Sequence, residues 1–151
     1  MNIASLLASK GGKVITIGPH DSIRVALTLL AEHNIGALVV VEGHGGPVGI
    51  VSERDIVRAL ARTESILLQP IGSIMTREVI IGTPQDDLMA VGNTMTDRRI
   101  RHLPVVEAGR LVGIISIGDV VKAQRDQYQG EVDTLQFQII HEDDVKARQA
   151  T

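Results

Sequence analysis

Ser52 and Asp55 stand three residues apart directly after Gly49-Ile50-Val51, and Ser116 and Asp119 repeat that spacing after Gly113-Ile114-Ile115. At the mouth of a helix such a pair forms a capping box, in which both side chains satisfy backbone N–H groups that the helix itself leaves unpaired. The same carboxylate can accept both hydrogens of a ribose cis-diol, while the Ser hydroxyl and the free N–H groups of the first turn face a phosphate or sugar oxygen. The two roles are compatible, because Ser can cap while Asp points into a cleft. A second group of side chains precedes Leu103-Pro104-Val105-Val106, where Arg98, Arg99, Arg101 and His102 form the one dense basic cluster of the sequence. Arg98 and Arg99, near a helix end, suit a solvated face. Arg101 and His102 abut an apolar strand, where they either pack at the edge of the core or hold phosphates.

A duplication positions these groups. Residues 14–59 align on residues 79–123 with His44 as the single insertion, and Pro19, Asp21, Gly49, Ser52 and Asp55 meet Pro84, Asp86, Gly113, Ser116 and Asp119. Each copy reads as a short β-branched strand, then Pro and Asp where a helix begins. Apolar residues follow at helical spacing: Ile23, Ala26, Leu27 and Leu30 in the first copy, Leu88, Val91 and Met95 in the second. Two strands come next, "ALVVV" and "PVGIV" or "LPVV" and "LVGII", joined by Gly-containing turns that suit a hairpin. A closing helix starts near Ser52 or Ser116. The unit is β-α-β-β-α, and its one-sided strands need a second unit to cover them.

The expected fold class is therefore α/β (α+β), two pseudo-twofold-related units forming one sandwich. The first unit with its lead-in spans residues 1–68 and the second 69–126, with Pro70 and Gly72 punctuating the link. Residues 127–151 are a glutamine-rich tail, whose apolar stripe of Val132, Leu135 and Ile139 suits a helix lying on a dimer partner or a solvated tail equally well. Twofold pairing sets both Ser-x-x-Asp turns around a common groove. Gly36 and Ala37 hold the places that Arg101 and His102 hold in the other copy. Small residues on one side leave room for a flat base, and cations on the other can hold phosphates.

Composition narrows the function classes. A chain of 151 residues with 44% hydrophobic content can bury one core. Tyr128 and Phe137 are its only aromatic residues, which leaves no base-stacking platform, and a formal charge of -3 argues against a phosphate-neutralising duplex surface. No nucleic-acid partner is expected. The start lacks a leader, and no segment approaches the roughly 20 apolar residues that span a bilayer, so a soluble, cytoplasmic protein without membrane partners is expected. The absence of cysteine excludes disulfides, thiol nucleophiles and thiolate metal sites. "GHGGPVG" lacks the G-x-G-x-x-G spacing and precedes a strand, so it reads as a hairpin turn, and "KGGK" is no P-loop. His20, His33, His44, His102 and His141 show no ligand spacing, so no metal site is expected. With no ordered Ser, His and Asp and no paired carboxylates, no catalytic residues are expected either.

With both copies ending in Gly-h-h-Ser-x-x-Asp, where h is apolar, residues 14–123 resemble a cystathionine-β-synthase (CBS) domain pair. The stretches "NIGAL", "RRIRHLPV" and "LVGIISIGDVVK" look most like small bacterial stand-alone CBS-pair proteins, and "GIVSERD" is also similar to the CBS insert of inosine monophosphate dehydrogenase. The resemblance implies a Bateman module, a disc whose two clefts bind AMP, ADP, ATP, NAD(H) or S-adenosylmethionine and which usually pairs into a homodimer. Carried over by position, one cleft takes its ribose contact from Asp119, a hydroxyl from Ser116 and an apolar wall from Ile114. Its base lies against Ile35, Gly36 and Ala37 near Lys13 and Val14, with Arg101 and His102 towards the phosphates. The second cleft uses Ile50, Ser52 and Asp55, facing Thr76, Val79 and Ile100. Here Arg101 and His102 replace Gly36 and Ala37, so the Asp119 cleft is the expected site.

The implied function is a non-enzymatic adenine-nucleotide-binding regulatory module that senses energy or redox state and acts on an unidentified regulated protein. AMP is favoured over ATP, because one Arg and one His match a single phosphate better than three; NAD(H) is the dinucleotide choice. The alternative is a ligand-independent interaction and dimerisation module whose Ser-x-x-Asp pairs are caps only.

Overall fold

Both halves of the chain start their helices with the same turn chemistry. The computed structural model describes residues 1–43 and 45–150; His44, the inserted residue of the first hairpin, lies outside the described residues. Helix α1 (Ile3–Lys10) is capped by Asn2 and ends on Gly11 at φ 98°. Helix α2 (Ile23–His33) starts at Ser22 and α4 (Leu88–Arg98) at Asp87, each cap accepting from the N–H three residues on. One position earlier, Asp21 accepts from the Gly18 amide at 2.9 Å and Asp86 from the Thr83 amide at 2.8 Å, which fixes the Pro-x-Asp turns. Both helices end on a left-handed residue, Asn34 (φ 50°) and Arg99 (φ 55°).

The hairpins correspond in pairing and register, apart from the insertion in the first turn. Strand β2 (Ala37–Val41) pairs antiparallel with β3 (Pro47–Ser52), and β4 (His102–Glu107) with β5 (Arg110–Ser116). Ala37 faces Ser52 and His102 faces Ser116, and both ladders shift register at the same place, after Val40 and after Val105. The leading strands differ. Strand β1 (Thr16–Ile17) runs parallel to β2, whereas the second copy keeps only a bridge from Gly82 to Val105. Gly82 stands where the first copy has Ile17. A β-carbon there would lie 2.8 Å from Leu103 and 3.0 Å from Ile3, because α1 fills that space.

This filling is one half of an exchange. Ile3 and Leu6 of α1 are buried with Leu88, Met95, Leu103 and Ile115 of the second unit, while Ile71 and Met75, which lead into that unit, are buried with Ile23, Leu38, Val51 and Ile56 of the first. Fully burying a side chain such as Ile3 or Ile71 contributes about 1.5–3 kcal/mol. Backbone bonds repeat the symmetry. Ile3 donates to Asp86 and Leu88 to Met1, as Ile71 donates to Asp21 and Ile23 to Gln69. Each lead-in then crosses the other unit's hairpin over a motif glycine, Leu7 over Gly113 and Met75 over Gly49, where no β-carbon fits without displacement. The result is a mixed α/β fold of two pseudo-twofold units tied by their lead-ins.

The closing helices are α3 (Glu53–Arg62) and α5 (Ile117–Gln149). Helix α5 is 33 residues long, so residues 127–149 continue the closing helix of the second unit without a break. Val120 and Ala123 are buried, and from residue 125 to 149 every side chain except the half-buried Val132 is exposed. Among the described residues no helix is long and apolar enough to cross a membrane.

Candidate functional site

Ser52 and Ser116 end their strands and cap α3 and α5, and both capping boxes are complete. The Ser52 N–H donates to Asp55 Oδ2 at 2.8 Å and the Asp55 N–H to Ser52 Oγ at 3.2 Å; the Ser116 and Asp119 pair repeats this at 2.8 and 3.1 Å. The next amides, of Glu53 and Ile117, donate to the carbonyls of Gly36 and Arg101 and so pin each helix mouth to its neighbouring strand. These bonds use only one carboxylate oxygen. Among the described residues Asp55 Oδ1 and Asp119 Oδ1 have no hydrogen-bond donor.

A cleft of about 320 Å³ surrounds Asp119. It brings together Lys13, Val14, Ile35, Gly36, Ala37, His102, Ile114, Ser116 and Asp119, and adds Lys10, Ile15 and Asn34. Lys10, unforeseen from sequence, sits at its centre: the ammonium donates to the Ile114 carbonyl at 2.8 Å and pairs with Asp119 Oδ2. The one available signal was "KGGK", in which Lys10 and Lys13 flank the two glycines that end α1. Burial works to raise the Asp119 pKa, but hydrogen bonds from Lys10 and the Ser116 backbone outweigh it and hold the carboxyl below its ordinary value. Lys10 and Asp119 also border a wider depression of about 720 Å³ beside Leu6, Lys122 and Ala123.

A second cleft of about 330 Å³ surrounds Asp55 and is lined by Ile50, Ser52, Thr76, Val79 and Ile100, together with Glu53 and Glu78. Its wall is firmer, since Ile50 and Thr76 exchange backbone hydrogen bonds at 3.0 and 2.9 Å, whereas the matching Ile114 carbonyl is held by the Lys10 side chain. Arg101 lines this cleft and not the one around Asp119 where it was expected. Neighbouring residues of an extended chain turn to opposite sides, so placing His102 between the clefts sends Arg101 to the Asp55 side. Arg54, Arg58 and Arg99 join it there, and none of these four guanidinium groups makes an ion pair or hydrogen bond with the described residues.

His102, Gly36 and Ala37 line both clefts and form the partition between them. Burial depresses the His102 pKa first and the Lys10 charge adds to this; Asp119 and Glu53 oppose it, and Arg101 depresses it slightly further. Among the described residues no three His, Asp or Glu side chains group as metal ligands. The arrangement offers open carboxylate oxygens, cations and apolar walls, which are the means to bind a polar, flat and anionic molecule.

Comparison with known proteins agrees with this architecture. The family model described as the CBS domain matches residues 7–62 and again 71–126. The mitochondrial CBS domain-containing protein CBSX3 of Arabidopsis thaliana is 34% identical over 142 residues, covering 88% of this chain and 69% of its own length. The crystal structure of a CBS-domain containing protein from Agrobacterium tumefaciens, 43% identical, gives a TM-score of 0.78 over 82% of this chain and 99% of that one. The CBS domain pair of protein MJ0100, solved in complex with 5′-methylthioadenosine and S-adenosyl-L-methionine, gives 0.76 at 31% identity over 84% of this chain and 98% of that one.

Proposed function

Because the chain belongs to the CBS-domain family, with two such domains in tandem, we propose that it is a non-enzymatic regulatory module that holds an adenosine-containing ligand between its units. The observation that carries this reading is the pair of carboxylates, Asp55 and Asp119, each with Oδ2 engaged at a helix mouth and Oδ1 open. An open carboxylate oxygen beside an apolar wall suits a ribose hydroxyl next to a base. The ligand class is supported by the MJ0100 pair, whose two bound molecules both contain adenosine.

In the Asp119 cleft the base lies between Ile114, Val14 and the Ile35-Gly36-Ala37 segment that leads into β2, with Lys10, Lys13 and His102 nearest a phosphate. Such charge suits one phosphate, as in AMP. The Asp55 cleft has Ile50, Val79 and Ile100 as apolar surface and Arg54, Arg58, Arg99 and Arg101 as cations, which suits a longer phosphate chain, as in ATP or NAD(H). Energy or redox state is then reported through a homodimer to a regulated partner protein, provided the ligand binds two arrangements of the module with different affinity.

A second reading has its own support: both capping boxes are complete without a ligand, as an interaction and dimerisation module would need them. Equilibrium binding of fluorescent AMP separates the two. The sensor reading expects saturable binding by the wild type and a loss of roughly tenfold or more in Asp119→Ala, the worth of one charge-assisted hydrogen bond. Asp119→Asn, which retains an acceptor for the cap, controls for folding. Failure of the folded wild type to bind AMP, ATP or NAD(H) favours the interaction module.

A further inference from the structure

Helix α5 leaves the body after Ala123 and runs through residues 127–149 with every side chain but the half-buried Val132 exposed. Its 33 residues span about 50 Å at 1.5 Å per residue. An unsupported helix is marginal in water, and this one contains Gly130, Thr134, several Asp residues and β-branched Val and Ile side chains. Part of its apolar surface nevertheless lies along one seam, with Phe137, Ile140 and Val145 outside it. Val121, Tyr128, Val132, Leu135 and Ile139, with Arg125, Glu142 and Lys146, follow strictly alternating steps of four and three, the spacing of a coiled-coil core. Tyr128, Leu135 and Ile139 are 71%, 58% and 59% exposed, so most of the seam's apolar surface is left open by the described residues. Phe137 lies on another face, stacked on His141 at 4.1 Å.

We propose that α5 packs on α5 of a second copy as an antiparallel coiled coil whose two-fold axis crosses between Asp133 and Thr134. This deepens the homodimer part of the reading above, rests on it only for the existence of a dimer, and does not depend on the ligand. The seam is complementary to its own reverse. About that axis Val132 meets Leu135 of the second copy, and Tyr128 meets Ile139. Further out, Arg125 meets Glu142, and Val121 lies under the aliphatic stem of Lys146. On the flank Lys122 faces Asp143. Among the described residues Arg125 has only a 3.6 Å exposed ion-pair contact, with its neighbour Asp126. A parallel pair would bring Arg125 onto Arg125 and Glu142 onto Glu142, so the charges select the antiparallel form.

The test uses the full chain, with mass measured by light scattering or sedimentation. The wild type is expected to be dimeric. Arg125→Glu and Glu142→Arg each weaken the dimer by roughly tenfold or more, and the double exchange restores it. A monomeric wild type, single variants that dimerise like the wild type, or a double variant that stays dissociated would each overturn the proposal.

Orientation is read independently by cysteines placed in a chain that has none. Antiparallel pairing juxtaposes Tyr128→Cys with Ile139→Cys, so oxidising the mixture links one variant to the other. Copies of the same variant stay unlinked, because equal positions are about 16 Å apart along the axis. Self-linkage of each variant would overturn the proposal in favour of a parallel pair. AMP affinity unchanged in Arg125→Glu keeps the two questions apart, and absence of AMP binding in every form would count against the ligand reading alone.

Discussion

Asp55 and Asp119 share one sequence context, and their surroundings separate them. Lys10 reaches Asp119 from a point 109 residues away, while the second lead-in bonds through the backbone of Thr76 to Ile50 and not to Asp55. His102, at the partition, carries the clearest pH consequence. It is surrounded by Lys10 from α1, Asp119 from α5, Glu53 from α3 and the adjoining Arg101, and burial leads in holding its folded-state pKa below 6.5. In the unfolded chain it takes up a proton near pH 6.5, which the folded chain resists. Its contribution is therefore intact above that pH and is lost as the pH falls towards the folded value. Denaturant midpoints measured from pH 7.5 down to pH 5.5 are expected to fall more steeply for the wild type than for His102→Gln; equal slopes would contradict this. The sequence displayed both capping boxes, because Ser-x-x-Asp is a local rule. It did not display Lys10, whose role depends on a long-range contact, or the direction of Arg101, which depends on where β4 begins.

The exchange of lead-ins governs the elements. Gly49 and Gly113 are motif glycines because a helix or turn from the other unit lies on them. The three atoms nearest a β-carbon at Gly113 all belong to the side chain of Leu7, the first at 2.7 Å, and Leu7 can yield. One at Gly49 meets Met75 Sδ at 2.5 Å and the backbone oxygen of Thr76 at 3.1 Å, and backbone cannot yield so readily. Both Gly→Ala substitutions should destabilise by about 1–3 kcal/mol, with Gly49→Ala the more costly; thermal unfolding that ranks Gly113→Ala as worse would contradict the packing described. Self-similarity made the β-α-β-β-α order legible, since each copy repeats its turn residues. Two features escaped it: the missing second leading strand, where Gly82 replaces Ile17, and the passage of each lead-in into the other core. Hydrophobic spacing says which residues are buried but not against what.

At the scale of the whole molecule, two similar halves make two dissimilar clefts. Pairing of the units around a groove was legible from the duplication; that Gly36, Ala37 and His102 line both clefts was not, because it depends on how the two hairpins face each other. The division of charge was not: four arginines border one cleft and two lysines the other, because their placement follows from how the units interlock. What the clefts share is a carboxylate oxygen without a donor among the described residues, and the proposed function stands on it. Calorimetric titration of the full chain with AMP and, in parallel, with 2′-deoxy-AMP addresses that oxygen directly. The proposed clasp predicts saturable AMP binding and an affinity for the deoxy compound lower by roughly tenfold or more, the worth of one hydrogen bond to a charged group. Equal affinities for the two compounds, or no binding of either, would contradict it.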